Sequence, residues 1–268
     1  MTAKSVGLLA LALTSALGAC QTSPAKPSGY LTRYDGMAAP GQSLRASVSQ
    51  RRDDAASDAV RQVYLTPAEA VPGVGAVLDP VERSMVLREV DRQICYEVSE
   101  RFDIVSQPSP QAATVRTAVV RIQPTGRVGS AASAAAGFFV PIVKLRAPMS
   151  TGGLAVESEM LAAGTGEQIA AVSWARSAQV VGLDAPSLSR VGDALQLAEP
   201  LGDAVGNAFS SKARPVRAIP APDPCAAYGP RRDLARTAGG MLVGAATGLY
   251  SPEVAGTGAK AEPAPAPR

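Results

Sequence analysis

Histidine is absent from all 268 residues. Its absence removes the commonest general base, the commonest neutral metal ligand and any Ser-His or Cys-His nucleophile pair. Aromatic residues supply only 4% of the chain, against 46% hydrophobic residues in all. Alanine and glycine make up much of that hydrophobic share, so the core is expected to be modest and rich in small side chains, and a large rigid catalytic barrel is not expected. A long apolar run is lacking too. Val6 to Leu17 carries no charge but falls short of the roughly 20 residues that a bilayer-spanning helix needs. Charge of one sign is scarce: the formal net charge is +3, with acids and bases interspersed, which excludes a nucleic-acid charge pattern.

What is present begins with Leu17-Gly18-Ala19-Cys20, which closes the short apolar run after the single cation Lys4. A cation, an apolar stretch and small residues form the layout of a secretory signal. Leucine and two small residues directly before a cysteine resemble the lipobox of bacterial lipoproteins. That resemblance implies a signal peptide over residues 1–19, diacylglycerol on the Cys20 sulfur and acylation of its amino group after cleavage. Several acyl chains hold a protein firmly, at about 0.8 kcal/mol per buried methylene. Gln21, where an aspartate would signal inner-membrane retention, points to the periplasmic face of the outer membrane. Residues 20–28 then read as a flexible acylated tether that lets the domain stand off from the membrane.

With Cys20 assigned to lipid, Cys95 and Cys225 remain. Exported thiols meet an oxidising compartment, where an even pair is expected to form one disulfide. The alternative is a buried Cys95 on a helix and an unpaired Cys225. A bridge would close a loop of about 130 residues, stabilising nominally by about 4 to 5 kcal/mol.

Along the chain, Arg45 to Asp58 is polar and reads as a solvated loop, and Val60 to Leu65 as a first strand. Asp79-Pro80-Val81-Glu82 is a capping-box pattern with proline at the first helical position. Leu87, Val90, Ile94, Val98 and Phe102 then recur at spacings of three and four, predicting an amphipathic helix over about 80–100 with Arg88, Glu89, Arg92 and Glu100 on its other faces. Phe102 to Val105 and Thr114 to Ile122 read as strands. Leu154 to Leu161 and Gln168 to Ala175 flank a glycine-bearing turn and predict a hairpin. Ser187 is expected to cap a last helix with the stripe Val191, Leu195, Ala198, Leu201, Val205 and Phe209, interrupted or kinked at Pro200.

Runs of strands between helices argue an α+β fold, a mostly antiparallel sheet with two helices packed on one face. The expected organisation is a single domain over residues 29–211 and a Pro/Gly/Ala-rich tail over 212–268 with a short apolar segment at 237–250.

The pattern resembles the bacterial lipoprotein family catalogued as domain of unknown function 3313. The resembling residues are Ser28-Gly29-Tyr30-Leu31-Thr32-Arg33-Tyr34, the strand around Val63-Tyr64-Leu65, the helix ending in Arg101-Phe102-Asp103-Ile104-Val105, the strand Val115 to Ile122, Pro141 before a hairpin with Thr165-Gly166-Glu167, and the closing helix. Departures are Asp35-Gly36-Met37, where serine and leucine are usual after the tyrosine, and the lack of a tryptophan near the start of the last helix. The resemblance implies location and architecture, with no activity to carry over.

Candidate chemistry is sparse. Glu157 and Glu159 share one face of a predicted strand, as a carboxylate pair would for acid and base work in an envelope hydrolase, and the solvated face of a hairpin explains them equally. Gly73-x-Gly75 lacks the rest of a dinucleotide fingerprint, and no GxxxxGK[ST] loop or Gly-x-Ser-x-Gly elbow occurs. No cofactor or metal is implied. Gly240, Gly244 and Gly248 place a small residue at every fourth position, which suits close helix packing, self-association or lipid contact. Phe138 and Phe139 close an Ala-rich run over 129–145 that is either an apolar patch for a partner or extra core. The expected function is therefore a non-catalytic lipoprotein acting through contacts with an envelope protein or lipid, and not with nucleic acid. A small-molecule or lipid-binding module is the alternative and would need a concave apolar pocket.

Overall fold

The computed structural model describes residues 22–39, 41–42, 46–137, 144–146, 151–179, 181–182, 184–231 and 234–258. Cys20, Phe138 and Phe139 lie outside the described residues. In chain order the elements are β1 (Gly41–Gln42), β2 (Ser47–Arg52), α1 (Asp54–Ala59), β3 (Gln62–Leu65), β4 (Glu69–Ala70), α2 (Pro80–Ser99), β5 (Asp103–Val105), β6 (Ala112–Gln123), α3 (Arg127–Gly137), β7 (Lys144–Leu145), β8 (Gly153–Leu161), β9 (Gln168–Ser177), β10 (Val181–Gly182), α4 (Gly192–Phe209), α5 (Leu234–Thr247) and α6 (Pro252–Ala255).

The main sheet runs β1-β2-β9-β8-β6-β3-β5, with β4 also on β6, and β7 pairs with β10 in a separate ribbon. Half of it is an antiparallel meander: β8 pairs with β6 and β9, and β9 with β2. The other half is parallel, β3 with β5 and β6, and β4 with β6. The sheet is therefore mixed, which corrects the expected mostly antiparallel one. The physical reason is connectivity. A strand, the long helix α2 and another strand in succession make a crossover, and a crossover returns the chain in the same direction. The strands β3, β5 and β6 are themselves expected from the sequence, but alternation within a strand says nothing of its direction relative to a neighbour.

The expectation of two helices is corrected as well, since six α-helices occur among the described residues. The two foreseen, α2 and α4, do pack on the sheet, and their side chains Val86, Val90, Ile94, Val98, Leu195, Leu201, Val205 and Phe209 join Val115, Val156, Val172 and Trp174 in one core. Asp79 and Glu82 complete the capping box of α2. Pro200 sits inside α4 without ending it, and the N-cap is Val191, not Ser187. The additional helices carried weaker signals. α1 is six residues, half of them alanine, started by Asp53, whose carboxylate accepts from Ala56 N–H, and α3 and α5 are rich in alanine and glycine.

Chain beyond α4 lies against the same body. Arg214 stacks over Phe102 at 4.3 Å and donates to the carbonyls of Ser57, Asp58 and Val60. Glu89, expected on an outer face of α2, is buried and accepts from Gly258 N–H at 2.6 Å, Arg92 and Gln93. At the start of α4, Asp193 is fully buried, paired two-pronged with Arg146 at 2.6 and 2.9 Å and accepting from Gly152 N–H.

Candidate functional site

The face of the sheet opposite α2 and α4 carries the carboxylate pair. Glu157 and Glu159 on β8 point to that face, beside Ala118 and Arg116 on β6 and beside Ser173 and Ala171 on β9. The short side chains of Ala118, Ser173 and Ala171 leave room for another stretch of backbone to lie close. Residues 28–34 occupy that room as a strap, and both carboxylates are fully buried beneath it.

Glu157 accepts from Ser28 N–H at 3.2 Å, from Ser28 Oγ at 2.5 Å and from Tyr34 OH at 2.7 Å. Glu159 accepts from Thr32 N–H and Thr32 Oγ1, both at 2.9 Å, and from Arg116 Nε at 2.6 Å and Gln168 Nε2 at 2.5 Å. Arg116 also donates to Tyr30 C=O and Thr32 Oγ1 and lies over the Tyr30 ring at 4.8 Å. Tyr34 OH in turn accepts from Gly29 N–H and Leu31 N–H. Gly29 has φ +87°, the left-handed region that favours glycine, and this lets the strap turn at its first residues.

Burial and the bond to Glu157 push the Tyr34 phenol up. Burial, with Glu69 beside it, pushes Tyr30 up to about 12. Both tyrosines therefore stay neutral at ordinary pH, so Tyr34 remains a donor to Glu157. One guanidinium, two hydroxyls, a phenol, an amide and two backbone N–H groups satisfy the two carboxylates. The strap covers both carboxylates, and neither forms the solvated hairpin face that the sequence also allowed.

The structure joins Cys95 on α2 to Cys225, with Cα atoms 5.9 Å apart. Beside the bridge Arg231 stacks on Tyr96 at 4.7 Å and pairs with Asp223 and Glu100. Gly240 has open space where a side chain would be, and Gly248 approaches Ala134 of α3. Met241 and Leu242 on the same α5 are exposed. No helix among the described residues is long and apolar enough to cross a membrane. Nor do the described residues hold a group of three or more Cys, Asp or Glu that could ligate a metal.

A cavity of about 360 Å³ opens at the other end of the strap, between α1, the β8–β9 turn and Arg33. Ala56, Val60, Ala113 and Ile169 form its apolar side, and Arg33, Arg51, Asp53 and Glu167 its polar side. Arg116 and Gln168 were missed in the sequence as partners of the pair. The available signal was an arginine set among the apolar residues of Val115 to Ile122.

Fold and site together define a strapped α+β domain, a mixed sheet with two long helices on one face and a clamped N-terminal segment on the other. The chain belongs to the family described as protein of unknown function (DUF3313), whose model matches residues 26–205. That match takes in the strap, the main sheet, α2 and most of α4, and leaves Cys225, α5 and α6 outside. Among solved structures the chain is similar to the PelC dodecamer from Paraburkholderia phytofirmans, at 9% identity and TM-score 0.38, with 62% of this chain and 99% of that one covered. It is similar also to a single-substitution form of that dodecamer from the same organism, at 11% identity and TM-score 0.38, with 61% and 98% covered. No curated protein matches the sequence.

Proposed function

We propose that this protein is a non-catalytic lipoprotein of the bacterial envelope, anchored at the periplasmic face of the outer membrane through acylated Cys20 and working through protein or lipid contacts. One observation carries the reading: the paired carboxylates are consumed in binding the segment that leads back to Cys20. Seven hydrogen bonds join that segment, Arg116 and Gln168 to the two acids. Such a clamp transmits the position of an anchor to a folded body, which a flexible linker cannot do.

Crosslinking in cells, followed by purification of wild type and Cys20→Ala, tests this. A specific envelope protein recovered with wild type and lost with the variant is the expected result. Recovery of the same set with both, or a Cys20 without acyl mass, overturns it. A second reading, a small-molecule binding module, is favoured by the 360 Å³ cavity with its apolar and charged sides. Ligand-dependent protection of Arg33 from trypsin would support that reading instead.

A further inference from the structure

The strap has a direction. Thr32 is held on Glu159 and Ser28 on Glu157, so the chain, followed back toward Cys20, runs along β8 toward Gly153. Gly153 marks the end of the sheet where β6 finishes and where α2, α3 and α4 all begin. Ahead of Ser28, Thr22 and Ala25 are half-buried, while Ser23, Pro24, Lys26 and Pro27 are exposed.

That same end exposes large aliphatic side chains: Val128 is 87% exposed, Val81 67%, Val77 66% and Leu188 46%. Hydrogen bonds hold these residues together. Arg127 Nε donates to Leu188 C=O at 2.9 Å, and Arg190 donates to Val77 C=O at 2.6 Å and to Glu82 at 3.2 Å. Thr125 N–H donates to Arg190 C=O at 2.7 Å. Arg127 is exposed beside Val128, where it would meet lipid phosphates, while the exposed Asp79 stands between Val77 and Val81 and Glu82 is paired with Arg190.

Distance decides what can cover this end. About eight residues separate Cys20 from Ser28, spanning at most about 28 Å when fully extended. The stretch of β8 from Glu157 to Gly153 uses about 13 Å of that reach. Chain length therefore lets an acylated Cys20 reach up to about 15 Å beyond the end of the sheet. We infer that the end formed by Val77, Val81, Val128 and Leu188 docks on the phospholipid surface in which Cys20 is anchored, with the strap setting the orientation. The inference rests on the anchor reading above and adds to it a fixed attitude, with the opposite end, where Val216 lies next to the C-terminus of α2, facing away.

Nitroxide labels test it, in the full chain, acylated and inserted in phosphatidylethanolamine–phosphatidylglycerol vesicles. Labels are placed at Val128→Cys, Leu188→Cys and, as the control, Val216→Cys, with the Cys95–Cys225 disulfide left intact. Labels at 128 and 188 are expected to be several-fold less accessible to an aqueous nickel relaxant, and more accessible to oxygen, than the label at 216. Equal aqueous accessibility at all three sites overturns the docking. Dipolar broadening at 128 between copies also overturns it, by giving the surface to a second chain. Mass measurement of the N-terminal peptide reads acylation separately. An unmodified Cys20 overturns the anchor reading and this inference with it, whereas an acylated Cys20 with water-exposed labels overturns the docking alone.

Discussion

Half-buried Asp91 and fully buried Glu157 show how differently two acids can behave in one fold. Glu157 has three hydrogen bonds from the strap, and bonds to a charged acceptor contribute about 1.5 to 3 kcal/mol each at most, since water replaces part of any loss. Glu157→Ala is expected to lower stability by about 2 kcal/mol and to free the strap. Trypsin would then cut after Arg33 several-fold faster than in wild type, before the core unfolds. Asp91 on α2 accepts from Ala68 N–H at 2.7 Å, and burial pushes its carboxyl up to about 6, with that bond opposing the shift. The folded protein thus holds the Asp91 proton more tightly than the unfolded chain does. Its ionised form costs stability above about pH 6, and the cost vanishes as the pH falls below about 4. Asp91→Asn should therefore stabilise by about 1 kcal/mol at pH 8, after discounting for solvent screening, and should make no difference at about pH 3.5. Urea midpoints at the two pH values check both halves.

Between elements, the contact of α2 with α4 depends on glycine. A side-chain carbon at Gly202 would stand 2.8 Å from the Gln93 carbonyl oxygen, and one at Gly206 would stand 2.8 Å from the Arg101 guanidinium. The first neighbour is backbone and cannot swing aside. Gly202→Ala gains about 1 kcal/mol of helix propensity but forces apart two packed helices, at about 1 to 3 kcal/mol. A net loss of about 1 kcal/mol is expected, whereas Gly240→Ala on α5, with open space around it, should be neutral or stabilising. Thermal midpoints of the two variants make the comparison. The same scale shows what was legible in advance. α2 could be read from the sequence because its cap, first proline and apolar stripe are all local. β2 could not, because Ser-Val-Ser-Gln-Arg-Arg has no apolar face and becomes a strand only by pairing with β9.

For the whole molecule, the chain after α4 is stitched back onto α2 by the Cys95–Cys225 bridge, by Arg231 and by the Glu89 bond to Gly258. Cys225→Ala removes a closure of 130 residues, nominally about 4 to 5 kcal/mol. Arg231 still pins the same segment, so the observed loss should be about 2 to 4 kcal/mol, measured as the difference in stability between oxidised wild type and the variant. Faster tryptic cleavage after Arg217 should accompany it. The sequence by itself determined the features that rest on neighbours in the chain. These are the capping box of α2, the β8–β9 hairpin with positive φ at Gly164 and Gly166, the apolar stripes of α2 and α4, and the family motif of the strap. Tertiary structure alone decided the parallel half of the sheet and the fate of Glu157 and Glu159. Strand direction follows from where a crossover lands. A carboxylate two positions from another has the same local pattern whether it meets water or a strap, and here residues more than a hundred positions away removed the water.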